Sequence, residues 1–228
     1  VFAYFIRYEK SIKNCANQTQ GDVTPKADAA PNDKPGKGFI EKSAIGPCLV
    51  MLFTAFAVSS VFSFMPIFAE TRNIEHIGMF FTVYAVSMIV SKLFTGRAAD
   101  RYGYSIVFLP SIVITFLLFV TLAFAYSIPL VLLAAVFYGL GFGTVQPLIN
   151  SVVIQLSPSE RRGAANAIFY ATMDIGLGAG AFVWGIVSEF ASFTVVFIGC
   201  AVCVVLSALS YYLFLHKKLG KPEPAEAP

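Results

Sequence analysis

Six apolar stretches alternate with short polar breaks between residues 44 and 216. They run Ala44–Ala69, Ile77–Ala98, Tyr104–Tyr126, Ile128–Gln155, Gly163–Ser188 and Phe193–His216. Each is close to the roughly 20 residues that a helix needs to cross a bilayer. The breaks are Glu70–His76, Arg97–Gly103, Ser127–Pro129, Ser157–Arg162 and Glu189–Ser192. Lipid offers no partner to a backbone N–H or C=O, so only helices or closed barrels span it, and runs this long and continuous are helices. The pattern predicts an all-α membrane protein with a six-transmembrane-helix bundle over residues 44–216.

The flanks read differently. Residues 1–7 begin at Val1 rather than Met, are apolar through Ile6 and end on Arg7. They lack the basic start and small-residue end of a signal peptide, so they are expected to be the last turns of a preceding membrane helix in a longer protein. Residues 8–43 are rich in Lys, Asp, Asn, Gln, Pro and Gly, with almost no large apolar residue before Phe39. Such a stretch buries too little surface to offset the entropy of ordering it, and reads as a flexible loop. Residues 217–228 read as a polar tail.

Composition agrees with the pattern. The chain is 57% hydrophobic and 13% charged, with a mean hydropathy of +0.74; soluble domains average about 45–50% and about 25%. A net charge of +3 gives no ground for a nucleic-acid partner. The basic residues are nevertheless distributed with purpose. Fifteen of the 16 Lys and Arg fall in the loop, at the end of the second span, between the fourth and fifth spans, and in the tail, leaving only Arg72 on the opposite face. The positive-inside bias predicts a multi-pass protein of the cell (inner or plasma) membrane with the loop and C-terminus cytoplasmic. The sequon Asn17-Gln18-Thr19 would then lie on the wrong side for glycosylation.

The polar residues inside the spans carry the candidate chemistry. On the fourth span Gln146 and Asn150 are four apart and share a face, with Pro147 between them as a kink and Tyr138 farther out. The fifth span has Asn166, Tyr170 and Asp174 at i, i+4 and i+8. Asp174 lies eleven residues beyond Gly163, roughly 16 Å deep at the helical rise, near the bilayer middle. A carboxylate there costs several kcal/mol; it either takes up a proton or faces water and a cationic partner, which makes it a candidate for proton coupling or cation recognition. The bland alternative is an Asp that hydrogen-bonds a neighbouring helix. Gly139/Gly143 and Gly176/Gly180 are spaced for close helix packing. Phe62, Phe64 and Phe68 are weak candidates for an apolar cavity. Ser157 is a possible helix cap. Cys200 and Cys203 sit in an apolar run without the partners that redox or zinc chemistry needs. No clustered Cys, His or carboxylate set suits a metal, and no Ser, His and acid meet in a catalytic arrangement, so neither an enzyme nor a cofactor is expected.

The segment Gly96-Arg97-Ala98-Ala99-Asp100-Arg101-Tyr102-Gly103 is similar to the loop signature G-x-x-x-D-R-x-G-R-R of the major facilitator superfamily. Gly96, Asp100, Arg101 and Gly103 match, while Tyr104 and Ser105 replace the trailing basic pair. Arg161-Arg162-Gly163 leading into Asp174-Ile175-Gly176 resembles the eleventh helix of bacterial efflux members. The resemblance covers essentially the whole chain and implies the C-terminal half of a twelve-helix fold, with residues 8–43 as the central cytoplasmic loop and the missing N-terminal half as partner. It further implies a secondary transporter working by alternating access. The first expectation is proton-coupled export of a small organic or drug-like molecule; the alternatives are uptake of a small metabolite or a non-transporting membrane scaffold, which would lack a repeat relationship between the first and last three spans. Gly96, Arg97, Asp100, Arg101 and Gly103 are expected to act as a cytoplasmic latch, with Gly96 permitting a close helix crossing and Asp100 accepting hydrogen bonds at a helix N-terminus. Asp174, Tyr170, Asn166, Gln146 and Asn150 are expected to line the proton and substrate path.

Overall fold

The computed structural model describes residues 45–215, apart from the side chains of Asp100 and Tyr102. The expectations for residues 1–44 and 216–228 lie outside the described residues. Within them the chain forms α1 (Ile45–Thr71), α2 (Gly78–Tyr102), α3 (Tyr104–Ala123), α4 (Ile128–Gln155), a short 3₁₀ turn (Ser159–Arg161), α5 (Arg162–Phe190) and α6 (Phe193–Phe214). All six helices are long and apolar enough to cross a membrane.

Two breaks differ from the sequence expectation. The segment Arg97–Gly103 is not a turn: α2 continues through Arg97 to Tyr102, and Gly103 alone separates it from α3. Charge by itself does not end a helix, and no residue before Gly103 disrupts one. Gly103 has φ 86° and ψ 156°, a region essentially reserved for glycine, so the reversal depends on the absence of a side chain. Ser157 does not cap a helix either. Its hydroxyl donates back to the Val153 carbonyl at 2.7 Å, and Pro158 precedes the 3₁₀ turn.

The packing is interleaved. α1 packs chiefly against α5 and α6, while α4 packs chiefly against α2 and α3. Exchanging α1–α3 with α4–α6 maps α1–α5 onto α4–α2 and α1–α6 onto α4–α3, and returns α3–α6 and α1–α4 to themselves. The bundle is thus two three-helix repeats, each of whose first helices sits among the others' partners. Only α4–α5 lacks a counterpart in α1–α2.

Two glycine pairs create the closest crossings. A Cβ on Gly139 would lie 2.7 Å from the Met88 nitrogen and the Tyr84 carbonyl of α2, and one on Gly180 would lie 2.9 Å from the Phe56 Cα of α1. Hydroxyls seal the seams around them. Thr54 and Ser207 join α1 to α6 at 2.8 Å, and Ser91 and Thr144 join α2 to α4 at 2.6 Å. At the end of the bundle where α1 runs into α2, Arg72 closes it. Its guanidinium donates to the Ala125 carbonyl at 2.6 Å, the Ala123 carbonyl at 3.2 Å and the Thr194 hydroxyl at 2.8 Å, and lies over the rings of Phe68 and Tyr126. The ends of α1 and α3 and the start of α6 are held by one cation placed at a helix C-terminus, where the dipole favours it.

α3 and α6 expose apolar stripes, Ile106, Leu109, Val113 and Leu117 on one and Val195, Ile198, Val202 and Val205 on the other, as expected of lipid-facing helices. α2 and α5 bury the smallest share of their surface within the bundle, and these two carry the charged side chains Lys92 and Asp174.

Candidate functional site

On the side of the bundle where α2 ends, α2 and α4 part below their glycine crossing and leave a cavity of about 380 Å³. α2 contributes Lys92, Thr95, Gly96 and Ala99, spaced i, i+3, i+4 and i+7 and therefore on one helix face. α4 contributes Gln146, Pro147, Asn150 and Ser151, α3 contributes Tyr104, and α5 contributes Tyr170. The roof is a cluster of hydroxyls in which Thr95 donates to Thr144 at 3.2 Å and to the Ser91 carbonyl at 2.7 Å. Pro147 has no N–H to give to the carbonyl one turn earlier, and Ser151 donates to the Pro147 carbonyl at 3.0 Å.

The lining is polar and incompletely satisfied. The Gln146 amide donates only to the Met173 sulfur, at 3.6 Å. Asn150 Oδ1 is buried without a hydrogen-bond partner, as are Asn166 Oδ1 and the Tyr138 hydroxyl. Each buried unpaired group costs about 1–3 kcal/mol, a cost that a ligand or water able to reach it would offset. Tyr138 is stacked on Tyr84 with centroids 4.4 Å apart in an aromatic cluster that also takes in Phe62 and Phe80.

The structure brings Gln146, Asn150 and Tyr170 together in this cavity. It does not bring in Asp174, which is exposed on the uncovered face of α5 one turn from Tyr170. The bland reading of Asp174 as a tie to a neighbouring helix finds no such hydrogen bond among the described residues. Asn166 lies a turn the other way and outside the lining. The three phenylalanines of α1 also separate: Phe68 packs on Phe193 and Phe197, Phe64 approaches Gly185 and Phe62 meets Tyr84 and Tyr138. They do not form one cavity.

The charged segment at the end of α2 resolves into distinct parts. Gly96 lines the cavity, and among the described residues a Cβ there would meet nothing within 4 Å. Arg97 and Arg101 are exposed. Gly103 makes the reversal. Tyr104 and Ser105, where the signature has a basic pair, instead serve the bundle: the Tyr104 hydroxyl accepts from Gln155 at 2.7 Å and Ser105 accepts from Tyr211 at 2.7 Å.

The sequence reading missed Lys92, Thr95 and Ser151. Lys92 was counted there only as part of the positive-inside bias. The signal that would have found it is the i, i+3, i+4, i+7 run Lys92, Thr95, Gly96, Ala99, a small and polar face on an otherwise apolar helix.

Comparison with known proteins bears on this arrangement. A profile of the Major Facilitator Superfamily matches residues 47–228. The chain is similar to the multi-drug resistance efflux pump PmrA homolog of Lactococcus lactis, 28% identical over 67% of this chain and 38% of the relative. It is similar to an uncharacterized MFS-type transporter of Methanocaldococcus jannaschii, 24% identical over 78% of this chain and 47% of the relative. It is also similar to the staphylopine export protein of Staphylococcus aureus, 20% identical over 83% of this chain and 48% of the relative. The chain spans less than half the length of these curated relatives.

Proposed function

The chain belongs to the major facilitator superfamily, and on that premise we propose that it is the C-terminal half of a secondary active transporter that exports a small organic molecule by alternating access, driven by protons. The observation that carries the proposal is the coincidence of exposure and polarity. The two helices least covered in the bundle, α2 and α5, are the ones that present Lys92, Tyr170 and Asp174, whereas the exposed stripes of α3 and α6 are apolar. Helices meant for lipid do not carry charges on their open faces; a second half of the protein and a water-filled path between the halves would cover them. The interleaved repeat supports the same reading, since inverted repeats that rock about a midplane site are the mechanical basis of alternating access, and it stands against a non-transporting scaffold. Export is the direction favoured by two relatives, an efflux pump and an export protein.

In this proposal the loop and C-terminus are cytoplasmic, as the basic bias requires. The exposed Arg97 and Arg101 at the end of α2 engage acids or a helix end of the absent N-terminal half, closing the cytoplasmic side in one state and releasing it in the other. Asp174 is assigned as the proton carrier because it is the acid that α5 carries on its open face within the span, where an ionisable group is costly without a function. The test is substrate-driven proton flux by the full-length protein in vesicles with an imposed pH gradient. Asp174→Asn is expected to slow proton-coupled flux at least about tenfold, as proton-transfer groups typically contribute, and to flatten its pH dependence. An unchanged rate and pH profile would discard the coupling role, and accumulation inside right-side-out vesicles would reverse the direction to uptake.

A further inference from the structure

Lys92 stands apart from every other basic residue of the chain's described part. It lies five residues before Arg97 on α2, roughly 8 Å farther from that helix end. A lysine so placed on a lipid face would run its stem toward the interface. Lys92 instead lines the cavity between α2 and α4. Among the described residues no carboxylate lines that cavity, and Lys92 takes part in no ion pair or hydrogen bond. An ammonium within a membrane span is costly without a compensating group. Across the same space Asn150 Oδ1 is buried and unpaired, and the Gln146 amide is spent only on a soft sulfur acceptor. The space of about 380 Å³ corresponds to about a dozen waters at roughly 30 Å³ each, enough for a carboxylate on a small ring or short chain. An ammonium and neutral amides, with no carboxylate among the described lining residues, together describe one kind of guest.

We propose that this cavity is an anion-recognition site in which the Lys92 ammonium meets a carboxylate of the transported molecule while the Asn150 amide meets a polar group beside it. The proposal rests on the transporter reading above and adds to it the substrate class, small organic carboxylates. Lys92 supplies attraction, and Gln146, Asn150 and Tyr170 supply orientation, because they are neutral groups that discriminate by geometry.

The test reads the cavity's charge directly in the full-length protein with its native cysteines replaced and Ser151→Cys introduced as a reporter in the lining. The reporter's reaction rates with an anionic reagent, sulfonatoethyl methanethiosulfonate, and a cationic one, trimethylammonioethyl methanethiosulfonate, are compared. Lys92→Gln is expected to lower the anionic-to-cationic rate ratio about tenfold, the scale of one nearby charge in a partly screened site, and Lys92→Arg to preserve it. Independently, benzoate is expected to slow labelling of the reporter by neutral N-ethylmaleimide, and benzamide, its neutral analogue, to leave it unchanged. A ratio indifferent to Lys92→Gln, equal protection by benzoate and benzamide, or no protection by benzoate would overturn the proposal. The benzoate and benzamide comparison uses the Lys92 protein itself and therefore decides the matter even where Lys92→Gln does not fold. Neither readout needs flux, so failure of transport and failure of anion selectivity are separate results.

Discussion

The α1–α5 and α4–α2 crossings hold equivalent places in the two three-helix repeats, yet they are made differently. Both need backbones in near contact. At α1–α5 the glycines, Gly176 and Gly180, belong to the second helix of its repeat; at α4–α2 the glycines, Gly139 and Gly143, belong to the first. The close approach is the shared requirement, and either partner can supply the missing side chain. The seals also differ. Trp184 stands across α1–α5, its indole N–H donating to the Phe56 carbonyl at 2.9 Å with its ring edge-on to Phe56. Ser91, Thr95 and Thr144 seal α4–α2 with hydroxyls. The hydroxyl seam is the one that opens into the polar cavity. A tryptophan fills the space at its crossing, whereas small hydroxyls leave room below theirs and tolerate water there. The deep charges diverge in the same sense, a lysine on α2 and an aspartate on α5.

The largest effect expected from this comparison is at the glycines themselves. Gly180→Leu and Gly139→Leu should each cost about 3 kcal/mol or more, because overpacking against backbone cannot be relieved by a side-chain rotation. Thermal unfolding of the purified protein in detergent, followed by size-exclusion, would report the loss. Gly178 is the internal control: among the described residues a Cβ there would meet nothing within 4 Å, so Gly178→Leu should not lower the midpoint. Equal effects at Gly178 and Gly180 would remove the claim that close approach is what these glycines provide.

A smaller effect separates the two seals. Thr144→Val should destabilise by about 0.5–1.5 kcal/mol, because Ser91 loses its 2.6 Å partner and keeps only the Leu140 carbonyl at 3.4 Å, while Thr95 keeps the Ser91 carbonyl. It should also raise the reactivity of a cysteine at Ser151, since the roof of the cavity is loosened. Trp184→Phe should cost about 0.5–1.5 kcal/mol for the lost hydrogen bond, with added loss from the smaller ring, and should not change labelling at Ser151. If the two substitutions altered labelling alike, the seams would not be functionally distinct.

Much of this fold was legible along the chain. The six spans and the packing role of Gly139/Gly143 and Gly176/Gly180 follow from local composition, because bilayer thickness and backbone hydrogen bonding constrain each segment independently of the others. The ends were less legible. The charged stretch Arg97–Tyr102 looked like a break and is helical, since its only conformational demand falls on Gly103. Arg72 looked like an exception to the basic bias, and its place is explained only by the carbonyls of Ala123 and Ala125, more than 50 residues away.

The candidate site divides in the same way. The chain alone singled out Gln146, Asn150 and Tyr170 as polar residues in apolar surroundings, because the cost of burying a polar group is a property of the residue and its depth. Which of them share a cavity, that Lys92 joins them, and that Asp174 stands a turn away on an open face were decided by how α2, α4 and α5 cross. Those crossings depend on contacts between helices far apart in the chain, where a missing Cβ at Gly139 or Gly180 sets the distance between two backbones and so determines what lies between them.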